Sequence, residues 1–197
     1  MTRRRSDPSV NLWRIAAFVV AIGAAAAAIP VASGAAVQPV AKGRPDACAA
    51  PPPSVLAAIP PGWSMLRLRD LSPDDRMLWS DARPRTCPGF ASANLGVGSG
   101  PAYAVALLRE TPRGREEKVV LMVPKGPRDS THFVLAKPWQ VANPAVVWRA
   151  PPGKTREWDG GPTLRVENDS IVIEVMEAYA EQFFFTRGRL KSVVISN

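Results

Sequence analysis

Residues 183–195 read Phe183-Phe184-Phe185-Thr186-Arg187-Gly188-Arg189-Leu190-Lys191-Ser192-Val193-Val194-Ile195. Two apolar runs flank Arg187-Gly188-Arg189, where glycine tolerates a positive φ, so this stretch predicts a tight antiparallel hairpin. Outward from it, short apolar or alternating runs cover 102–108, 118–123, 131–136, 145–148, 164–166, 170–175, 178–186 and 190–196, and Gly or Pro punctuates nearly every join. No long amphipathic helical pattern separates these runs, which argues against a doubly wound α/β fold. The expected fold is mainly β, a single antiparallel-sheet domain with one or two short helices, with α+β as the alternative.

Nearer the N-terminus, Ser54 to Ile59 suits a short helix stopped by Pro60-Pro61-Gly62. Trp63 to Arg69 alternates apolar and polar residues and reads as a strand. Ser72-Pro73-Asp74-Asp75 has the form of a helix start, with a hydroxyl cap, a proline in the first turn and two acids at the positive end of the dipole. That helix carries Met77, Leu78 and Trp79 and gives way at Pro84.

Before all of this stand Arg3, Arg4, Arg5 and Arg14, the apolar run Ile15 to Val31, and the small residues Ser33-Gly34-Ala35-Ala36. A basic start, an apolar helix and a small-residue cleavage site make residues 1–36 a signal peptide. The apolar run is shorter than the roughly twenty residues a membrane span needs, and Pro30 interrupts it, so cleavage is favoured over anchoring. Ser6-Asp7-Pro8 does not suit twin-arginine export, and the residues before Cys48 do not suit a lipoprotein. A Pro- and Ala-rich linker is expected over 37–53, followed by a mainly β domain over 54–197. The resulting location is periplasmic or secreted, with membrane contact only through the leader if it stays, which would leave an inner-membrane-anchored, periplasm-facing protein.

The leader holds four of the 25 Lys and Arg residues and one of the 17 acids, leaving 21 cations against 16 acids and a net charge of +5. The remaining cations mix with acids, as in Arg113-Gly114-Arg115-Glu116-Glu117-Lys118, which reads as a solvated surface. No basic stripe interleaved with aromatics is present, so nucleic acid is not an expected partner. Cys48 and Cys87 are the two cysteines, and export puts them where a pair bridges, with two buried thiols as the alternative.

The segment from Cys87-Pro88-Gly89, through the glycine-rich Asn94-Leu95-Gly96-Val97-Gly98-Ser99-Gly100, to Ala102-Tyr103-Ala104 and its apolar continuation resembles an uncharacterised family of exported bacterial proteins. The resemblance implies a Cys-Pro-Gly segment, a strand, a glycine-rich loop like that of FG-GAP repeats, then Tyr-Ala and an apolar strand. Pro144 to Trp148, the Pro152-Gly153 turn, Asp169 to Val172 and the closing hairpin through Asn197 belong to the same resemblance. It also takes in Met176-Glu177-Ala178-Tyr179, and so points to Glu177 as a buried ion-pair or partner-contacting acid. Calcium-binding loops of the FG-GAP type need clustered carboxylates, because a hard cation wants six to eight oxygen ligands. Here Gly96, Gly98 and Ala102 stand where those acids belong, so the expected loop is an ion-free connector and no metal or cofactor is implied.

Glu174, Glu177 and Glu181 offer an acid and a base for glycoside cleavage if two of them converge in one cleft. Read as a strand, Glu174 lies on one face and the other two on the opposite face, which splits the set. His132, the single histidine, has no obvious serine elbow to serve. Trp139 and Trp158 fall in expected loops, where exposed indoles commonly anchor partners. The leading expectation is a non-enzymatic binding protein of the bacterial cell envelope, of the inhibitor or immunity type. It would bind another exported protein or envelope component through residues such as Trp139, Trp158, Glu177 and Tyr179. The alternatives are an envelope glycan or peptidoglycan hydrolase using the three glutamates, and a structural envelope-assembly protein.

Overall fold

A computed structural model of the chain describes Cys48 and residues 51–126 and 129–196, which lie in one compact unit spanning Lys42–Asn197. The leader expected over 1–36 and most of the linker expected over 37–53 lie outside the described residues.

Among the described residues there are two α-helices, α1 (Pro53–Ala57) and α2 (Pro73–Ala82). The strands are β1 (Ser64–Met65), β2 (Phe90–Ala93), β3 (Ala102–Thr111), β4 (Gly114–Pro124), β5 (Ser130–Gln140), β6 (Val146–Ala150), β7 (Gly153–Arg156), β8 (Thr163–Val166), β9 (Ser170–Val175), β10 (Tyr179–Thr186) and β11 (Arg189–Ser196). Every pairing is antiparallel: one sheet runs β1-β3-β4-β5 with β2 also against β3, a second runs β11-β10-β9-β6, and β7 pairs with β8 in a separate ribbon. The fold is therefore mainly β. No helix among the described residues is long and apolar enough to cross a membrane.

The two larger sheets pack face to face, because each alternating strand must bury its apolar side. Ala104, Ala106, Val119 and Leu121 of the first sheet share one core with Val147, Ile171, Ile173 and Phe183 of the second. Phe133 and Phe185 close it edge to face at 5.8 Å. The other side of the first sheet is covered by α1 and by the disulfide between Cys48 and Cys87, around Val55, Met65, Val105 and Leu107. Both sulfurs lie over the Leu66 carbonyl. Gly89 allows this close approach, since a Cβ there would sit 2.1 Å from the same oxygen.

The closing hairpin forms as expected, with Thr186 opposite Arg189 and both central residues at positive φ, the pattern of a type I′ turn. Ser72 caps α2 by accepting the Asp75 amide at 3.1 Å. The strand expected over Trp63 to Arg69 is cut to two residues. Met65 and Leu66 are both buried, and Asp70 accepts the Arg67 amide at 2.7 Å, drawing Leu68–Asp70 into a 3₁₀ turn. β2 falls where the resemblance implies a strand, between Cys87-Pro88-Gly89 and the glycine loop, whereas β7, almost wholly polar, was not expected.

Candidate functional site

The end of α2 delivers two side chains to the edge of the second sheet. Trp79 is buried and its Nε1 donates to the Thr86 carbonyl at 3.1 Å, fixing the chain as it leaves the helix. One turn later, Arg83 lies between two indoles, its guanidinium 5.0 Å from the centre of Trp79 and 4.2 Å from that of Trp148 on β6. Its Nη2 donates to Glu174 Oε2 at 3.1 Å, and Trp148 Nε1 donates to the same oxygen at 2.7 Å. Pairing of β6 with β9 sets Val146 opposite Glu174 and Trp148 opposite Val172, so Trp148 and Glu174 share a face.

Trp79, Arg83 and Trp148, with Thr86, Phe90, Ser92 and Arg149, line a cleft of about 470 Å³ between α2, β2 and β6. Its base is tied across the sheets, where the Val147 amide donates to the Pro88 carbonyl at 2.7 Å. Charge-assisted bonds and a cation held over aromatic faces make this wall rigid. It presents indole and guanidinium edges to a ligand. Behind this wall the Glu174 carboxylate accepts from both Arg83 and Trp148 and holds them in place.

The acids of the alternative, hydrolytic reading do not converge, as the strand pattern expected. Glu174 lies opposite Ala180, and Glu181 opposite Ile173, which puts Glu174 and Glu181 on opposite faces of the sheet. Glu181 instead accepts from the Tyr179 hydroxyl at 2.7 Å, and this bond together with burial pushes the tyrosine up to about 12, desolvation contributing most. Glu177 is not a buried ion pair. It is exposed in the β9–β10 turn with φ +59, a position set by the tight turn.

Trp139 is not in a loop either. It belongs to β5 and packs on the core, because an edge strand accommodates Pro138 next to a register irregularity. Trp158 does sit in a turn, 49% exposed. No hydrogen bond, ion pair or ring contact joins Trp139, Trp158 and Glu177 to one another among the described residues.

The buried acid is Glu117, fully enclosed on β4. Burial pushes its carboxyl up to about 8, against the lowering effect of the Ala145 amide, which donates to Oε2 at 2.8 Å. Oε1 is buried without a partner. The charged run 113–118 is thus not wholly a solvated surface. Glu117 holds the same inward period-two position as Val119, Leu121 and Val123, and that register was its signal in the sequence.

His132 gains a partner in Ser130, whose Oγ lies 2.8 Å from Nε2. The pair lines a 520 Å³ surface hollow with Asp129, Tyr103 and Met122, but both members are exposed neighbours on one strand face and no carboxylate bonds the ring. At the glycine loop, Asp169 donates its amide to the Asn94 carbonyl and accepts the Asn94 amide, clasping the loop to the second sheet. No group of three His, Cys, Asp or Glu able to hold a metal occurs among the described residues.

Compared with protein-family models, with curated proteins and with solved structures, the chain matches none.

Proposed function

We propose that this protein is a non-enzymatic binding protein of the bacterial cell envelope, of the inhibitor or immunity type, that docks another exported protein at the Arg83–Trp148 cleft. The observation that carries this reading is the Trp79–Arg83–Trp148 stack locked on Glu174. Trp and Arg held rigid in a partly desolvated hollow are the residue types that dominate binding energies at protein interfaces. Preorganisation means that little side-chain entropy is lost when a partner arrives. Arg149, exposed at the rim and paired with Asp169 at 3.6 Å, adds a second cation beside the cleft.

The disulfide between Cys48 and Cys87 suits an oxidising compartment, as does the leader read over 1–36. The resemblance of the Cys87 to Leu108 segment to exported bacterial proteins points the same way.

The test is affinity capture from envelope extract with the wild-type chain and with Arg149→Glu, scored by intact mass and by circular dichroism of the bait. The reading expects a bait processed near Ala36 and one exported protein retained by the wild type but lost by the folded variant. Equal retention by both, or release of peptidoglycan fragments by the wild type, would contradict it.

A further inference from the structure

The outer face of the second sheet carries cations that nothing in the fold neutralises. Pairing sets Lys191 opposite Phe184 and Arg189 opposite Thr186, so these two cations share the face on which Phe184 lies. Leu164 and Val166 of β8 pack with Phe184, Val193 and Ile195, which lays the β7–β8 ribbon on that same face. The ribbon's other side is thereby turned to solvent. Lys154, Arg156 and Arg165 occupy it, with Lys154 directly opposite Arg165.

With Arg187 in the hairpin turn, this makes six exposed cations pointing to one side of the molecule. None has a carboxylate partner or a side-chain hydrogen bond among the described residues, whereas Arg83, Arg109, Arg115 and Arg149 each meet an acid. The acids of the ribbon region are Glu157, Asp159 and Glu167, so cations outnumber them two to one. A cross-strand pair of like charges is unfavourable on its own. An external anion relieves it. Trp158 completes the face: its turn joins β7 to β8 and packs against β11, yet the indole remains half exposed.

We propose that this face docks on an anionic phospholipid surface. Basic side chains gain from the negative potential of such a surface without giving up their hydration, and an indole prefers the headgroup region. Charge complementarity selects an anion, and the exposed tryptophan beside the cations selects a bilayer over a purely acidic protein face. The apolar run Ile15 to Val31 in the same chain delivers it to a membrane during export. The inference rests on the export reading but not on the cleft, which lies among α2, β2 and β6.

The test is lysine acetylation of the full chain, comparing Lys154 and Lys191 with the reference Lys125. It is run with vesicles containing phosphatidylglycerol, with pure phosphatidylcholine vesicles, and with polyglutamate. Arg3, Arg4, Arg5 and Arg14 of the leader also favour anionic lipid, so the basic face is isolated by the difference between the wild type and the Arg165→Gln, Arg187→Gln and Arg189→Gln variants, which leave the leader unchanged. Severalfold protection of Lys154 and Lys191 is expected with phosphatidylglycerol only, reversed by high salt. Each of Arg165→Gln, Arg187→Gln and Arg189→Gln should weaken binding about fivefold. Equal protection by both vesicle types, or none, would overturn the proposal. Protection by polyglutamate without protection by phosphatidylglycerol would also overturn it, and would assign the face to an acidic protein.

Discussion

Glu117 on β4 accepts the backbone amide of Ala145, so one fully buried carboxyl of the first sheet holds the crossover into β6 of the second. Its strand neighbours across the ladder are Leu108 and Trp139, which leave Oε1 no polar group to meet. A neutral acid is far cheaper to bury there than a carboxylate.

This gives stability a definite pH dependence. The folded-state value, about 8, lies above the ordinary one of 4.5, so between them the native protein holds a proton that the unfolded chain has released. The stabilisation is fully present at low pH and is lost as pH rises towards 8, at up to ~1.4 kcal/mol per pH unit. Denaturant unfolding of the wild type and of Glu117→Gln across this range checks it. The difference between the two curves should slope in that window, and the amide variant should gain relative to wild type as pH rises.

Loss of the staple is expected to weaken the domain without dissolving it. Cys48 and Cys87 are 39 residues apart, and closing a loop of that size stabilises by about 4 kcal/mol in the chain-entropy model, often less in practice. Cys87→Ala should therefore lower the denaturant midpoint by the equivalent of roughly 2 to 4 kcal/mol, and a reducing agent should bring the wild type to the same value.

The cap of α2 also matters to the cleft, because that helix positions Trp79 and Arg83. Ser72→Ala removes the acceptor of the Asp75 amide and should cost about 1 kcal/mol. Thermal unfolding measures the loss, and Ser72→Asp should recover it.

Calcium should leave the protein indifferent. The glycine loop does recruit a carboxylate, Asp169, but that group is committed to the Asn94 amide and faces Arg149. A melting temperature unchanged by calcium or chelator is the expected result, whereas Asp169→Ala should lower it by unfastening the clasp.

Alternation made most strands legible. In β3, β4, β9 and β10 most inward residues are apolar enough to declare the face, Glu117 and Glu181 excepted, and Arg187-Gly188 declared the turn between β10 and β11. β2 was silent to periodicity, since Phe90-Ala91-Ser92-Ala93 has no alternation of large apolar residues, and only the resemblance implied a strand there; it pairs with β3, and Gly89 lets the chain reach Leu66. The disulfide was legible from compartment and count. The cleft was not: Arg83 and Trp79 are one helical turn apart and readable as a pair, but Trp148 and Glu174 join them only through the packing of α2 on β6 and β9. Glu117 was misread for a related reason, because its charge outweighed the period-two position it occupies.

Site-specific photo-cross-linking in living cells tests the binding claim most directly, with the reactive group placed in turn at Ser92, Arg149 and Lys125. Ser92 and Arg149 line the cleft and Lys125 does not. Adducts of one size, containing the same exported protein, should form from Ser92 and Arg149 and be absent from Lys125. Adducts equal from all three positions, or none from the cleft, would contradict the account.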